Sequence, residues 1–320
     1  MDSTSTLEPE WTVDINELTA AVKQEMEICS KRYFYENIRG FRFVPKVLPP
    51  GIDCLWVKYK DEGPTLEAEA CTQDYVYGEL TKWDEPGRKG LHVPKVFDYA
   101  EIRIDDFTYS FIIMEFIKGT PISHITSDIE VSGDLDSHAK EDRIHLFEDR
   151  VVDALCFLLS LKPPSDAGPG PVGGGRIQSF VFGRENSYAP RAFDTLGELE
   201  EWVNEENEKK KLNPYSTTAD LVSEGLRLCY CDLHLGNFLL EDASNPASRL
   251  TVIDFQHTSW LPYSFLVWEL WKKRHLYMEA QITARCAAVG VARDLSSISI
   301  AVSKTTRKDI TGLAWHSIVV

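Results

Sequence analysis

Apolar residues recur at helical spacing over residues 12–32, where Val13, Ile15, Leu18, Ala21, Val22 and Met26 form one stripe. The spacing predicts an opening helix. Beyond it the pattern shortens: "FRFVPKVL" and "CLWVKYK" are compact apolar runs parted by Pro-Pro-Gly, which reads as strand, turn, strand. "PTLEAEACTQDYVYGEL" is rich in helix formers and begins on proline, a residue tolerated in a first helical turn. Two more strand-like runs, "KVFDYAEI" and "YSFIIMEF", follow the loop-like "EPGRKGLHVP". Strand, strand, helix, strand, strand suits a small antiparallel sheet crossed by one helix.

From "IKGTPIS" onward helical spacing dominates. In "RIHLFEDRVVDALCFLLSL", residues Ile144, Phe147, Val151, Leu155 and Leu158 share one face, which predicts a long buried helix. "KPPSDAGPGPVGGG" is a loop that lacks the Gly-Lys-Ser/Thr of a phosphate loop, so it is expected to be a surface connection. "TLGELEEWVNEENEKKKL" predicts a surface helix and "FLVWELWKKRHLYMEAQITARCAAVGV" a mostly helical stretch, whereas "DLSSISIAVSK" fits helix or strand equally. A chain of 320 residues exceeds one ordinary core. The expected fold class is α+β in two lobes: a small antiparallel-sheet lobe over residues 1–116 and a larger, mainly helical lobe over residues 117–320.

One stretch breaks the pattern. "YCDLHLGNFLLEDASNPASRLTVIDF" sets Asp232, His234, Asn237 and Asp254 on and between two apolar strand-like runs. A buried acid is costly unless it is paired or meets a cation. Pairing "NFLL" with "LTVIDF" as a hairpin would bring Asn237, at the start of one strand, near Asp254, at the end of the other. Asp232 lies five residues before Asn237. Such a group suits phosphoryl transfer, with Asn237 and Asp254 as hard oxygen ligands for magnesium and Asp232 accepting the proton of an attacking hydroxyl. The bland alternative is a buried polar network with no reaction.

D-x-x-x-x-N followed by an apolar-Ile-Asp-Phe strand resembles the catalytic core of the protein-kinase-like superfamily. The variant "CDLHLGNFLL…VIDFQ" looks most like the aminoglycoside phosphotransferase and choline kinase branch, from about Leu55 to about Pro262. "GPGPVGGGRIQSFVFG" before a Trp-containing helix is similar to an uncharacterised fungal group of that branch. The resemblance implies a bilobal protein-kinase-like fold. It also implies transfer of the γ-phosphate of ATP, with Mg2+, to a hydroxyl of a small molecule. Alternation leaves Lys58 and Lys60 equal; the resemblance selects Lys58, in "VKY", as the phosphate clamp. The family spacing favours Glu69 over Glu67 as the helix glutamate that orients it. "IIMEFIKG" resembles the hinge, so Met114, Glu115 and Phe116 would bind adenine through their backbone. His234 is expected to hydrogen-bond the catalytic loop. Gln256 replaces the glycine of protein kinases, which favours a small-molecule kinase. Tyr230 and Cys231 stand where His and Gly are usual, Leu235 where Pro is common, and only Gly40 and Gly51 precede Lys58 in place of a glycine-rich loop. These departures define the alternative reading, a pseudokinase that binds nucleotide or acts as a scaffold.

Composition narrows the partners. A net charge of −16 with no Lys/Arg-rich face argues against nucleic acid. It is compatible with a cationic acceptor, although an acidic surface chiefly keeps a protein soluble. Trp260, Trp268 and Trp271 are expected either around the acceptor or in the core. The seven cysteines are scattered, and Cys229-x-Cys231 has no second pair to complete a zinc site. No leader-like opening and no run of about twenty apolar residues gives the expectation of a cytoplasmic protein that does not enter a membrane.

Overall fold

The computed structural model describes residues 11–30, 38–61, 65–182, 187–210 and 218–286. Helix α1 (Ile15–Ser30) starts where the Asp14 carboxylate accepts the amide protons of Asn16 and Glu17, which satisfies two of the free donors of a first turn. Four strands follow the predicted order: β1 (Ile38–Phe43), β2 (Leu55–Asp61), β4 (Val96–Ile104) and β5 (Phe107–Glu115). They form one antiparallel sheet in the order β1-β2-β5-β4. Only the first half of "FRFVPKVL" is strand. Proline 45 has no N–H for a ladder, and Val44 and Val47 beyond Phe43 are exposed.

Alternation then decides what each face of this sheet meets. Leu55, Val57 and Tyr59 point with Phe111 and Ile113 toward Leu18 and Val22 of α1. Trp56 lies on the opposite face, packed with Ile112 and Met114 against Leu66 and Ala70 of α2 (Thr65–Thr81). The rear of α2 leaves the sheet: Val76 and Leu80 enter the larger core, together with Leu91 of β3 (Leu91–His92) and Val93. Helix α2 is thus held by two cores at once. Between α2 and β3 lies a single turn, α3 (Glu85–Arg88).

The larger core is built on β6 (Thr120–Pro121), α4 (Ile122–Val131), α5 (Ser137–Ser160) and α6 (Leu196–Lys210). The predicted face of α5 buries Phe147, Val151, Leu155 and Leu158, with Ile144 half-buried at its edge. Strands β7 (Arg227–Tyr230) and β10 (Thr258–Leu261) pair with each other. Strands β8 (Phe238–Leu240) and β9 (Leu250–Val252) form the expected hairpin inside the sheet β3-β9-β8-β6. The mostly helical C-terminal stretch is two helices, α7 (Tyr263–Lys272) and α8 (Leu276–Cys286), broken at Arg274, whose φ is 61°. "DLSSISIAVSK" lies outside the described residues.

The glycine-rich loop is the expected surface connection at Gly173, Gly174 and Gly175, which are exposed, but not at its start. Pro169, Gly170 and Pro171 are buried, and Gly170 exchanges both backbone hydrogen bonds with Trp260 of β10, at 3.1 and 2.7 Å. The Val172 amide then donates to Thr72 on α2. A segment without side chains to bury is still drawn inward when its backbone finds a strand to pair with.

Candidate active site

Strand β2 carries Lys58 directly opposite Gly40 of β1. Its Nζ donates to Glu69 Oε1 at 2.7 Å, to Glu69 Oε2 at 2.8 Å and to Asp254 Oδ1 at 2.9 Å. Lys58 and Glu69 are both buried. Burial works to lower the pKa of Lys58, but the neighbouring Glu69 and Asp254 carboxylates outweigh it and raise the ammonium pKa above its ordinary value. Burial likewise works to raise Asp254, and the Lys58 charge and hydrogen bond reverse this and lower its carboxyl. The two alternatives left by the sequence separate here: Glu69 faces the lysine, while Glu67 is exposed on the outer side of α2.

The β8–β9 hairpin brings the other three polar residues to the same end. Phe238 pairs with Val252, and the Ile253 amide donates to the Asn237 carbonyl at 3.0 Å. The Asn237 side chain donates to the Asp232 carbonyl at 3.2 Å. His234 shapes the turn between them: its Nδ1 accepts from the Gly236 amide at 3.0 Å, and its own amide donates to the Asp232 carbonyl at 2.8 Å. A Cβ on Gly236 would meet that imidazole at 2.6 Å, so any larger residue there would push His234 out of this bond. Asp254 adopts φ 62°, ψ 71°, a left-handed conformation that costs a non-glycine residue of order 1–3 kcal/mol. The Lys58 contact offsets this and fixes the carboxylate toward the cleft. Asp232 is mostly buried; burial and then the Asp254 charge raise its carboxyl, against Lys273, Asn237 and His234.

Tyr230 and Cys231 are parts of this framework. The buried Tyr230 hydroxyl donates to the Ile253 carbonyl at 2.6 Å, one residue before Asp254, and its ring stands edge-on to Phe255. The Cys231 amide donates to the His257 carbonyl at 3.0 Å. The chain before Asp232 is therefore tied to the chain around Asp254 at two points.

The model of the phosphotransferase enzyme family (APH) matches residues 84–295, more than half of the chain. The chain belongs to the phosphotransferase enzyme family. The match takes in Asp232, Asn237 and Asp254; Lys58 and Glu69 precede it and are joined to Asp254 by the contacts above. No curated protein matches the chain. Among solved structures, it is similar to the GDP complex of wild-type aminoglycoside 2'-phosphotransferase-IIIa, at 13% identity and a TM-score of 0.45, covering 91% of this chain and 88% of that one. It is also similar to a microcompartment-associated aminopropanol kinase, at 12% identity and a TM-score of 0.37, over 82% and 81% of the two chains. An aminoglycoside phosphotransferase from Alicyclobacillus acidocaldarius matches at 14% identity and a TM-score of 0.31, over 85% and 78%.

Met114 and Glu115, expected with Phe116 to form a hinge, end β5, and Phe116 follows it. Met114 is buried, its sulfur 3.5 Å from Gln73 Nε2, and the Glu115 carboxylate is 2.9 Å from His92 Nε2. The amides of Glu115 and Phe116 already donate to the carbonyls of Lys95 and Cys54. Of the backbone groups expected to meet a base, these two amides are thus already engaged. Beside them the half-buried Trp56, which sequence reasoning passed over, has its ring 6.2 Å from that of Phe116. A Cβ on Gly40 would strike the Trp56 indole at 2.5 Å. The signal was available: a glycine inside a strand often marks a close approach.

Of the three tryptophans considered for the acceptor, Trp260 and Trp268 are buried and Trp271 is exposed. A cavity of about 480 Å³ between α5 and the α7–α8 turn is lined by His145, Glu148, His275 and Tyr277 among others, and none of the sequence-selected residues reaches it. Among the described residues no three acidic, histidine or cysteine side chains cluster as a metal site. The donors at hand fit magnesium nonetheless, because that ion keeps several waters and needs only one or two protein carboxylates. Asp254 is partly exposed to solvent, and Asn237 spends its amide protons on Asp232, leaving its oxygen as the acceptor.

Proposed function

We propose that this phosphotransferase is a small-molecule kinase that transfers the γ-phosphate of ATP, with magnesium, to a hydroxyl. The observation that carries the reading is the contact of Lys58 Nζ with both Glu69 and Asp254 at 2.7–2.9 Å, beside the loop that holds Asp232 and Asn237. Lys58 clamps the phosphates and Glu69 fixes its direction. Asp254 and Asn237 would hold magnesium, which supplies neutralisation of phosphate charge when bound. Asp232 accepts the proton of the attacking hydroxyl, and the raised affinity of its buried carboxylate for a proton suits that task. Residues 1–116 serve the nucleotide, and residues 117–320 carry the catalytic and metal-binding loops and grip the acceptor. The reading includes a cytoplasmic location; among the described residues no helix is long and apolar enough to cross a membrane.

The pseudokinase alternative drew on Tyr230 and Cys231, and both have structural duties that leave the acids in place. Calorimetry of MgATP binding tests the proposal, comparing the natural chain with Asp254→Asn and with magnesium removed. Binding that needs magnesium and weakens in Asp254→Asn is expected, followed by phosphate transfer in a screen of hydroxylated small molecules. A folded sample that binds no nucleotide at millimolar concentration overturns it.

A further inference from the structure

Helix α8 turns Met278, Ile282 and Cys286 into the larger core, and all three are buried. The last of them meets Cys156 on α5: the two sulfur atoms are 3.2 Å apart, although 130 positions separate the residues. A disulfide holds its sulfurs at about 2.05 Å, so closing this gap takes a movement of about 1 Å. Cys286 is 1% exposed, whereas Cys156 is half-buried and opens the pair to small molecules.

The surroundings of the pair are cationic. Arg285, the residue before Cys286, reaches Asp149 and Asp153 of α5, with its Nη1 3.2 Å from Asp153 Oδ1. Its charge acts on both sulfurs, and Arg227 of β7 adds a second cation near Cys286. The bond with Cys156 holds the Cys286 thiol below its ordinary value; burial opposes this, and Arg227 and Arg285 support it. The Cys156 thiol is raised, by its bond with Cys286 and then by burial. Reactive cysteines occupy electropositive, partly accessible settings of this kind. Cys229 and Cys231 contrast with the pair, since both are fully buried and burial pushes both thiols up. Those two serve as inert small hydrophobes. Packing alone explains why Cys286 is buried, but it requires neither a second sulfur on the facing helix nor the two guanidinium groups.

We propose that Cys156 and Cys286 are an oxidative modification site, a dithiol that hydrogen peroxide converts into a disulfide joining α5 to α8. The thiolate of one cysteine attacks one oxygen of the peroxide, which leaves a sulfenic acid and releases hydroxide. The second thiol attacks that sulfur, and its proton departs with the sulfenic hydroxyl as water. The two sulfurs lose two electrons in all, and the peroxide accepts them. In a reducing compartment such a bond is transient, the form in which intracellular disulfides act as sensors. Neither cysteine is among the residues assigned to phosphate transfer, so the bridge does not depend on the small-molecule kinase reading.

The test is peptide mapping of the natural chain. The reduced protein is treated with micromolar hydrogen peroxide, alkylated, digested without reductant and read by mass spectrometry. The expected product is a peptide pair joined through Cys156 and Cys286, two hydrogens lighter than the sum of its parts and separated again by dithiothreitol. The oxidised chain should melt about 4–10 °C above the reduced one. Cys156→Ser and Cys286→Ala should show neither the joined peptide nor the gain, and the melts of the reduced variants check that each is folded. Cys71, exposed on α2, is the internal comparison. Oxidation of Cys71 with Cys156 and Cys286 left as thiols overturns the inference. So does sulfinic acid at either cysteine without the linkage, a linkage that forms only after unfolding in urea, or a bridged chain that melts no higher than the reduced one.

Discussion

Replacing Lys58 by methionine keeps the length of the side chain and removes its charge. It leaves Glu69, 2% exposed, and the carboxylate of Asp254 without the ammonium that both contact. Removing one partner of a buried ion pair costs about 3–5 kcal/mol, because the remaining charge stays out of water. An exposed pair would cost about 0–1 kcal/mol, so the burial of this pair decides which figure applies. The pH dependence gives a second handle. In the natural chain Lys58 depresses the Asp254 carboxyl. That contribution is present above the unfolded value of about 3.9 and is lost as pH falls through the lower folded value. In Lys58→Met the Asp254 carboxyl has no cation and its folded value rises above the unfolded one, while Glu69, which burial already raises to about 7 against the pull of Lys58, rises further. The variant should then lose stability as pH rises through those raised values and recover as pH falls toward the ordinary carboxylate range. Urea unfolding of both proteins at pH 8 and pH 5.5 reads this out. The expected gap is about 3–5 kcal/mol at pH 8, narrowing at pH 5.5, and Lys58→Met with Glu69→Leu should regain part of it. A gap of less than about 1 kcal/mol, or one independent of pH, would refute the assignment of a buried, mutually dependent cluster.

Asp232→Asn should lower phosphate transfer by about 10²–10⁴-fold, measured by product formation under saturating MgATP; retention of the natural rate would remove Asp232 as the base. In the natural enzyme kcat/KM should decline on acidification at a pH above the ordinary aspartate range, because burial raises the Asp232 carboxyl, and a limb centred below about 4 would contradict this. Tyr230→Phe deletes the 2.6 Å bond to the Ile253 carbonyl and should cost about 1 kcal/mol by thermal or urea unfolding, whereas a neutral result would mean that the hydroxyl does not tie the loop. Gly40→Ala drives a methyl into the Trp56 indole and should cost about 1–3 kcal/mol. Trp56→Ala in the same chain should relieve part of that loss, and equal melting points for Gly40→Ala and the natural protein would disprove the close approach.

The parts of this architecture that sequence exposed are those set by short-range pattern. Asp232, Asn237 and Asp254 sit on one loop and one hairpin, so strand pairing alone brings them to one end. The small sheet followed from two-residue alternation, and α5 from the 3.6-residue stripe of Phe147, Val151, Leu155 and Leu158. Alternation could not rank Lys58 above Lys60, because both share a face of β2. The contacts that distinguish Lys58, with Glu69 on α2 and with Asp254 from 196 residues away, are tertiary. The backbone of the glycine-rich loop hid its role for a related reason: with no side chain to reveal burial, Gly170 signals its pairing with Trp260 only once β10 is in place.

The same distinction applies to the aromatic corner around Phe180 and His257. Phe180, His257, Trp268 and Lys273 come from three separated stretches, and the motifs that contain or border Phe180 and His257 do not say which side chains these will meet. They meet because Gly170 is pinned to β10 and the chain turns back at Arg274. The first feature leads the segment after the glycine-rich loop onto His257, and the second ends α7 with its two lysines above that stack. The group Asp232, Asn237 and Asp254 is thus encoded locally and this aromatic corner globally. Substitutions on the loop of residues 168–175 should accordingly change acceptor recognition before they change nucleotide binding. Gly170→Val tests this, since its φ of 155° and a carbonyl 2.9 Å from any Cβ leave no room for a side chain. The expected result is a raised acceptor KM with the affinity for MgATP less affected, and the reverse order would show that the loop acts through Thr72 and α2 instead.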